Sequence, residues 1–111
     1  MDDDESMREA LESLLRSAGF EAEVFASAEA LLSSNRLSEV ECLIVDVRMP
    51  GMTGLQLQRR LVSTGSRIPI ILITAHGDDA ARAQALGAGA TAFLRKPFSE
   101  QALLDAVQAA L

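Results

Sequence analysis

Three short stretches constrain this chain more than anything else in it: residues 42–47 (CLIVDV), 68–74 (IPIILIT) and 91–97 (TAFLRKP). Each is a continuous apolar run, too short for a helix and rich in β-branched or other aliphatic residues. Strands with one face in water alternate apolar with polar; unbroken runs belong to strands buried on both faces. Between them the spacing turns helical. Met7, Ala10, Leu11, Leu14 and Leu15 share one helix face, and Gly19 follows as a C-terminal cap. Ser27 predicts the N-cap of a helix through Leu32, and Leu55, Leu57, Leu61 and Val62 predict another after the turn MPGMTG. HGDDAARAQALGAG reads as a loop and a short alanine-rich helix capped by Asp78, and Ser99 opens a last helix to Leu111. A further short run, EAEVF at 21–25, predicts a fourth strand. Strands alternating with helices predict an α/β fold, a parallel sheet with helices on both faces.

Composition narrows what such a fold can do. The 111 residues suit one domain, and 49% hydrophobic residues are enough to build a core. The net charge of −6 argues against a sequence-independent grip on nucleic-acid phosphates. No run approaches the roughly 18–20 apolar residues of a bilayer span, and no signal peptide is visible, so a cytoplasmic domain without membrane contact is expected. Cys42 is the single cysteine and His76 the single histidine, which leaves neither an internal disulfide nor a soft-ligand metal site.

Parallel α/β sheets carry their chemistry at the carboxyl ends of the strands. There the chain has Asp46 after LIV, Thr74 and Ala75 after IILI, and Lys96-Pro97 after AFLR. Asp2, Asp3 and Asp4 stand just before the first helix, where a preceding strand would end. A carboxylate closing a buried strand is unfavourable unless paired or liganded, and several together repel one another. A hard cation with oxygen ligands resolves this, and Mg²⁺ suits Asp2, Asp3 and Asp46. Asp4 and its neighbours also suit a plain N-cap cluster. Lys96 is the only lysine among ten basic residues. Its compact ammonium can neutralise an anion as a point charge where a planar guanidinium would not fit. A solvated surface lysine is the alternative.

These residues resemble the receiver domain of two-component response regulators, a flavodoxin-like fold. The matching blocks are DDDES, LIVDVRMPGMTG, ILITAHG and AFLRKPF, in order and from one end of the chain to the other. DVRMPGMTG and TAHG look closest to receivers that precede LuxR-type DNA-binding domains. The resemblance implies Asp46 as phosphoryl acceptor. It implies Asp2 and Asp3 as the acidic pair for Mg²⁺, with Asp3 the direct ligand and Asp2 acting through water, and the backbone carbonyl of Arg48 completing the shell. Thr74 then hydrogen-bonds the phosphoryl group, Lys96 pairs with it, Ala75 leaves it room, and Phe93 is the aromatic switch. The Lys96-Pro97 bond is cis in the family.

The expectation is a receiver over residues 1–111, N-terminally truncated and without its output module, that takes a phosphoryl group from a sensor histidine kinase and regulates transcription. A homodimer through the last two helices and the strand between them, near Arg82, Arg95 and the helix from Ser99, is also expected. Two other classes share features. A degenerate receiver would act only as a binding module, and an aspartyl-phosphate phosphohydrolase would need a second carboxylate where Arg48 stands. The family's central strand before the acidic pair is here reduced to Met1. Each large side chain so lost forfeits roughly 1.5–3 kcal/mol of burial. Either an apolar strand lies upstream of Met1, or the sheet is rearranged or completed by another chain, with a weakened Mg²⁺ site and a tendency to oligomerise.

Overall fold

The structure, a computed structural model, describes residues 1–2, 4–49, 51–74, 79–87 and 89–111, with the backbone alone at 79, 81 and 85. In chain order the elements are α1 (Glu5–Ser17), α2 (Ala28–Ser33), a 3-10 turn (Leu37–Glu39), β1 (Leu43–Asp46), α3 (Gly54–Ser63), β2 (Ile70–Thr74), α4 (Asp79–Gly87), β3 (Ala92–Arg95) and α5 (Glu100–Ala110). The strands form one parallel sheet in the order β1-β2-β3. Val45 lies beside Leu72, and Leu72 beside Phe93.

β1 and β2 become strands because both of their faces are covered, whereas β3, at the edge of the sheet, is only partly buried and its Arg95 is exposed. On one face Val45, Ile70 and Leu72 pack with Leu31 of α2 and Leu57 and Leu61 of α3. On the other, Ile73 packs with Leu11 of α1 and Leu103 of α5. All five residues of β2 are buried. Helix ends follow local chemistry. Ser27, Thr53 and Ser99 each accept an N–H of the first turn, and Thr53 with Gln56 forms a reciprocal capping box. Gly19 and Gly65 close α1 and α3 in left-handed geometry, φ 91° and 82°, where a side chain would strain the backbone. The Lys96-Pro97 bond is cis, as the resemblance implied.

The strand expected at 21–25 is not formed, and the sheet has three strands among the described residues rather than four. Among the described residues the backbone of segment 21–25 makes one contact with the residues before α1, Asp2 N–H to Phe25 C=O at 3.4 Å. An extended segment needs a ladder of such bonds to become a strand. The expected helix cap Asp78 lies outside the described residues.

Candidate functional site

Three parts of the chain meet at the carboxyl end of the sheet. β1 delivers Asp46, the turn after β3 delivers Lys96, and the segment before α1 delivers Asp2. Lys96 Nζ donates to Asp2 Oδ2 and to Asp46 Oδ2, each at 3.0 Å. The side chains are 1% exposed at Asp2, 9% at Asp46 and 18% at Lys96, so water screens this triad weakly. Two carboxylates and one ammonium leave one net negative charge at a nearly buried place.

Backbone contacts set the geometry. The Asp46 N–H donates to the Met1 carbonyl at 2.9 Å, and the Arg48 N–H caps Asp46 Oδ1 at 2.9 Å. The Asp4 N–H caps Asp2 Oδ1 at 2.9 Å, and the Arg8 guanidinium donates to the Asp2 carbonyl at 2.8 Å. Lys96 is tied to β2 by its own N–H, 2.7 Å from the Thr74 carbonyl. After Asp46 the chain runs through a loop into α3, whose first residue is Gly54. A Cβ there would stand 2.5 Å from the Asp46 carbonyl oxygen, so only glycine permits this approach. The same loop is held from the side by Glu29 of α2, which accepts the Met52 N–H at 2.9 Å.

Charge and burial push the two carboxylates apart. Burial raises the pKa of Asp46, the nearby charge of Asp2 adds to the rise, and the Arg48 N–H and Lys96 only partly oppose it. Burial also opposes ionisation of Asp2, but the Asp4 N–H and Lys96 outweigh it and Asp2 stays below the usual carboxylate range. Lys96 is itself desolvated, yet its two carboxylate partners raise its pKa. Asp2 is therefore the more firmly ionised partner, and Asp46 the carboxylate with the more available proton.

The aspartate trio divides. Asp2 turns into the site, whereas Asp4 caps α1 by accepting the N–H groups of Ser6 and Met7. Asp3, Pro50, Ala75 and His76 lie outside the described residues. Thr74 is fully buried at the end of β2. Phe93 is half-buried against the same core cluster as Leu72, the β2 residue beside it. Since Thr74 is two residues beyond Leu72, Thr74 and Phe93 share one face of the sheet. Arg8 and Glu29 escaped the sequence reading, for their contacts depend on how the elements pack. Gln58 did too: it is a polar residue buried on α3.

The oxygen-rich donor set fits a hard divalent cation. Asp2 and Asp46 already aim one oxygen each at a shared cationic centre, the Lys96 ammonium. No group of three metal-binding side chains occurs among the described residues, to which Asp3 does not belong. Among the same residues no helix is long and apolar enough to cross a membrane.

Comparison with known proteins converges on one family. Residues 1–108 match the response regulator receiver domain. The response regulator protein TodT of Pseudomonas putida is 50% identical over 111 residues, covering 100% of this chain and 49% of TodT. The transcriptional regulatory protein FixJ of Azorhizobium caulinodans is 40% identical over 111 residues, covering 100% of this chain and 53% of FixJ. Among solved structures, the response regulator StyR superposes with a TM-score of 0.92 at 52% identity, covering 100% of this chain and 56% of that one. The chain belongs to the response regulator receiver family, the regulatory domains of two-component systems, and has its flavodoxin-like fold. It spans about half the length of the curated relatives it matches.

Proposed function

We propose that this domain is a phosphoacceptor switch in which Asp46 takes a phosphoryl group from the phosphohistidine of a sensor kinase. The observation that carries the reading is the triad itself: Asp46 Oδ2 and Asp2 Oδ2 both lie 3.0 Å from the one lysine of the chain. In the transfer, an Asp46 carboxylate oxygen attacks phosphorus as the P–N bond of the donor breaks. The imidazole leaves with the bonding pair and takes a proton from solvent. Lys96 neutralises charge on the arriving group, and the Arg48 N–H steadies the carboxylate. Asp2, Asp3, Asp46 and the Arg48 carbonyl would hold Mg²⁺, which supplies positive charge to the phosphoryl oxygens. Thr74 then turns its hydroxyl to the new group, and Phe93, on the same face of the sheet, moves into the space released.

Downstream, the altered surface around Phe93 would serve a homodimer through α4, β3 and α5, and an output domain that regulates transcription, of LuxR type by the sequence resemblance. The relatives named above include one transcriptional regulatory protein, FixJ, about twice the length of this chain, which supports that role. A cytoplasmic location follows from the same reading.

Incubation with acetyl phosphate and Mg²⁺ tests the acceptor. The wild-type chain should gain one hydroxylamine-sensitive phosphate by mass spectrometry, and Asp46→Asn should gain none. A mutant that still gains an acid-stable, hydroxylamine-insensitive phosphate would sink the assignment. Lys96→Arg should fold normally and break the link between Asp46 and the Phe93 surface. Unchanged phosphorylation and dimerisation would return Lys96 to an ordinary surface residue.

A further inference from the structure

Charge is unevenly placed along this chain. Residues 1–46 carry twelve acidic and three basic side chains, whereas residues 47–77 carry four arginines and no acid. Arg59, Arg60 and Arg67 belong to that second stretch, and all three are exposed. On α3 the exposed Gln56, Arg59, Arg60 and Ser63 recur at helical spacing, on the side turned away from the buried Leu57 and Leu61. Among the described residues none of these three arginines makes an ion pair. An acidic domain thus presents one basic face.

Beside that face the surface turns apolar. Val62, 55% exposed, borders a hollow of about 200 Å³ at the amino end of β2. Leu61, Ile68, Pro69 and Ile70 line the hollow, and Arg67 stands on its wall. Small-molecule sites run to roughly 300–1,000 Å³, so this one suits a single side chain of a larger partner. An apolar centre flanked by arginine is the make-up of a protein interface. Nucleic acid fits less well. The net charge of −6 repels a long polyanion, and all four phenylalanines, in a chain without tyrosine or tryptophan, lie outside residues 47–77. A base would find no aromatic platform to stack on.

We infer that α3 and the turn after it form a docking surface for a short acidic segment of another protein, with one apolar side chain that enters the hollow. Arg59 and Arg60 meet its carboxylates along the helix, and Arg67 meets them beside the hollow. The apolar side chain covers Val62 and supplies most of the affinity, because exposed ion pairs contribute little. The arginines supply steering and register. The hollow lies at the amino end of the strands, and Asp46 at the carboxyl end. Docking therefore leaves the triad open, and the inference does not depend on phosphorylation of Asp46.

The test is titration of the full, isotopically labelled chain with the acetylated, amidated peptide EEDLDEE, followed by amide NMR shifts. Saturable shifts should appear at Arg59, Arg60, Val62 and Arg67 and not at Asp46 or Lys96, with binding that weakens as salt rises. EEDSDEE, which lacks the apolar side chain, should bind roughly tenfold more weakly. The double variant Arg59→Glu, Arg67→Glu, checked for an unchanged fold by circular dichroism, should lose about tenfold as well. The inference is overturned by the absence of saturable shifts, by shifts centred elsewhere, or by equal affinity for the two peptides. Equal affinity in the wild type and the double variant overturns it too. Tighter binding of a short oligothymidylate would overturn it in favour of nucleic acid. Shifts that grow with the concentration of the chain alone, together with a doubled mass in light scattering, would overturn it in favour of a second copy.

Discussion

The two edges of β1 lie in one sheet and meet opposite fates. Toward β2, four residues pair in continuous register, Leu43 with Ile70 through Asp46 with Ile73. Away from β2, Met1 alone among the described residues pairs with β1, and the segment 21–25 stays irregular. Segment 21–25 includes Val24 and Phe25, which favour strands, so local preference does not explain the contrast. A strand exists where a neighbouring strand offers its backbone a ladder. The candidate site joins the two: Asp46 comes from the end of β1, Asp2 from the segment before α1.

The contrast in packing is largest in the core. Leu72→Ala, at a fully buried position between β1 and β3, should cost about 2–5 kcal/mol of stability. Val24→Ala, 38% exposed in segment 21–25, should change it by less than about 0.5 kcal/mol. Urea titration of both variants decides; similar losses would mean that 21–25 is as firmly packed as β2.

Two smaller effects concern the loop after Asp46. Gly54→Ala forces a Cβ against the Asp46 carbonyl and the Val47 backbone, neighbours that cannot swing aside. It should cost about 1–3 kcal/mol in thermal or chemical unfolding and slow phosphorylation. Glu29→Gln should leave the melting temperature where it is, because Glu29 is exposed, and accelerate amide exchange at Met52. Unchanged exchange would mean that the carboxylate does not steady the loop.

Much of this was legible in the sequence, for physical reasons. Runs such as IILIT can only be buried strands, and they were found where expected. Ser27 and Ser99 marked helix starts because N-capping is a local interaction. Strand ends located Asp46, Thr74 and Lys96, since a parallel sheet collects such residues at one edge. What failed depends on distant partners. EAEVF looked like a strand, and no described segment offers it a ladder. Nothing in DDDE distinguishes Asp2, which enters the site, from Asp4, which caps α1. Both types of contact use the same carboxylate, and only the packing of α1 against the sheet separates them. The Glu29 contact to Met52 spans 23 residues and has no periodic signature.

The central claim is that the carboxylate between Lys96 and the Arg48 N–H accepts the phosphoryl group. Borohydride reduction of the phosphorylated chain tests it directly, because an aspartyl phosphate is reduced to homoserine at the residue that carried it. After treatment with acetyl phosphate and Mg²⁺, peptide sequencing by mass spectrometry should find homoserine at position 46 and at no other aspartate. Homoserine at Asp2 or Asp4, or its absence from a chain that has gained phosphate, would contradict the account.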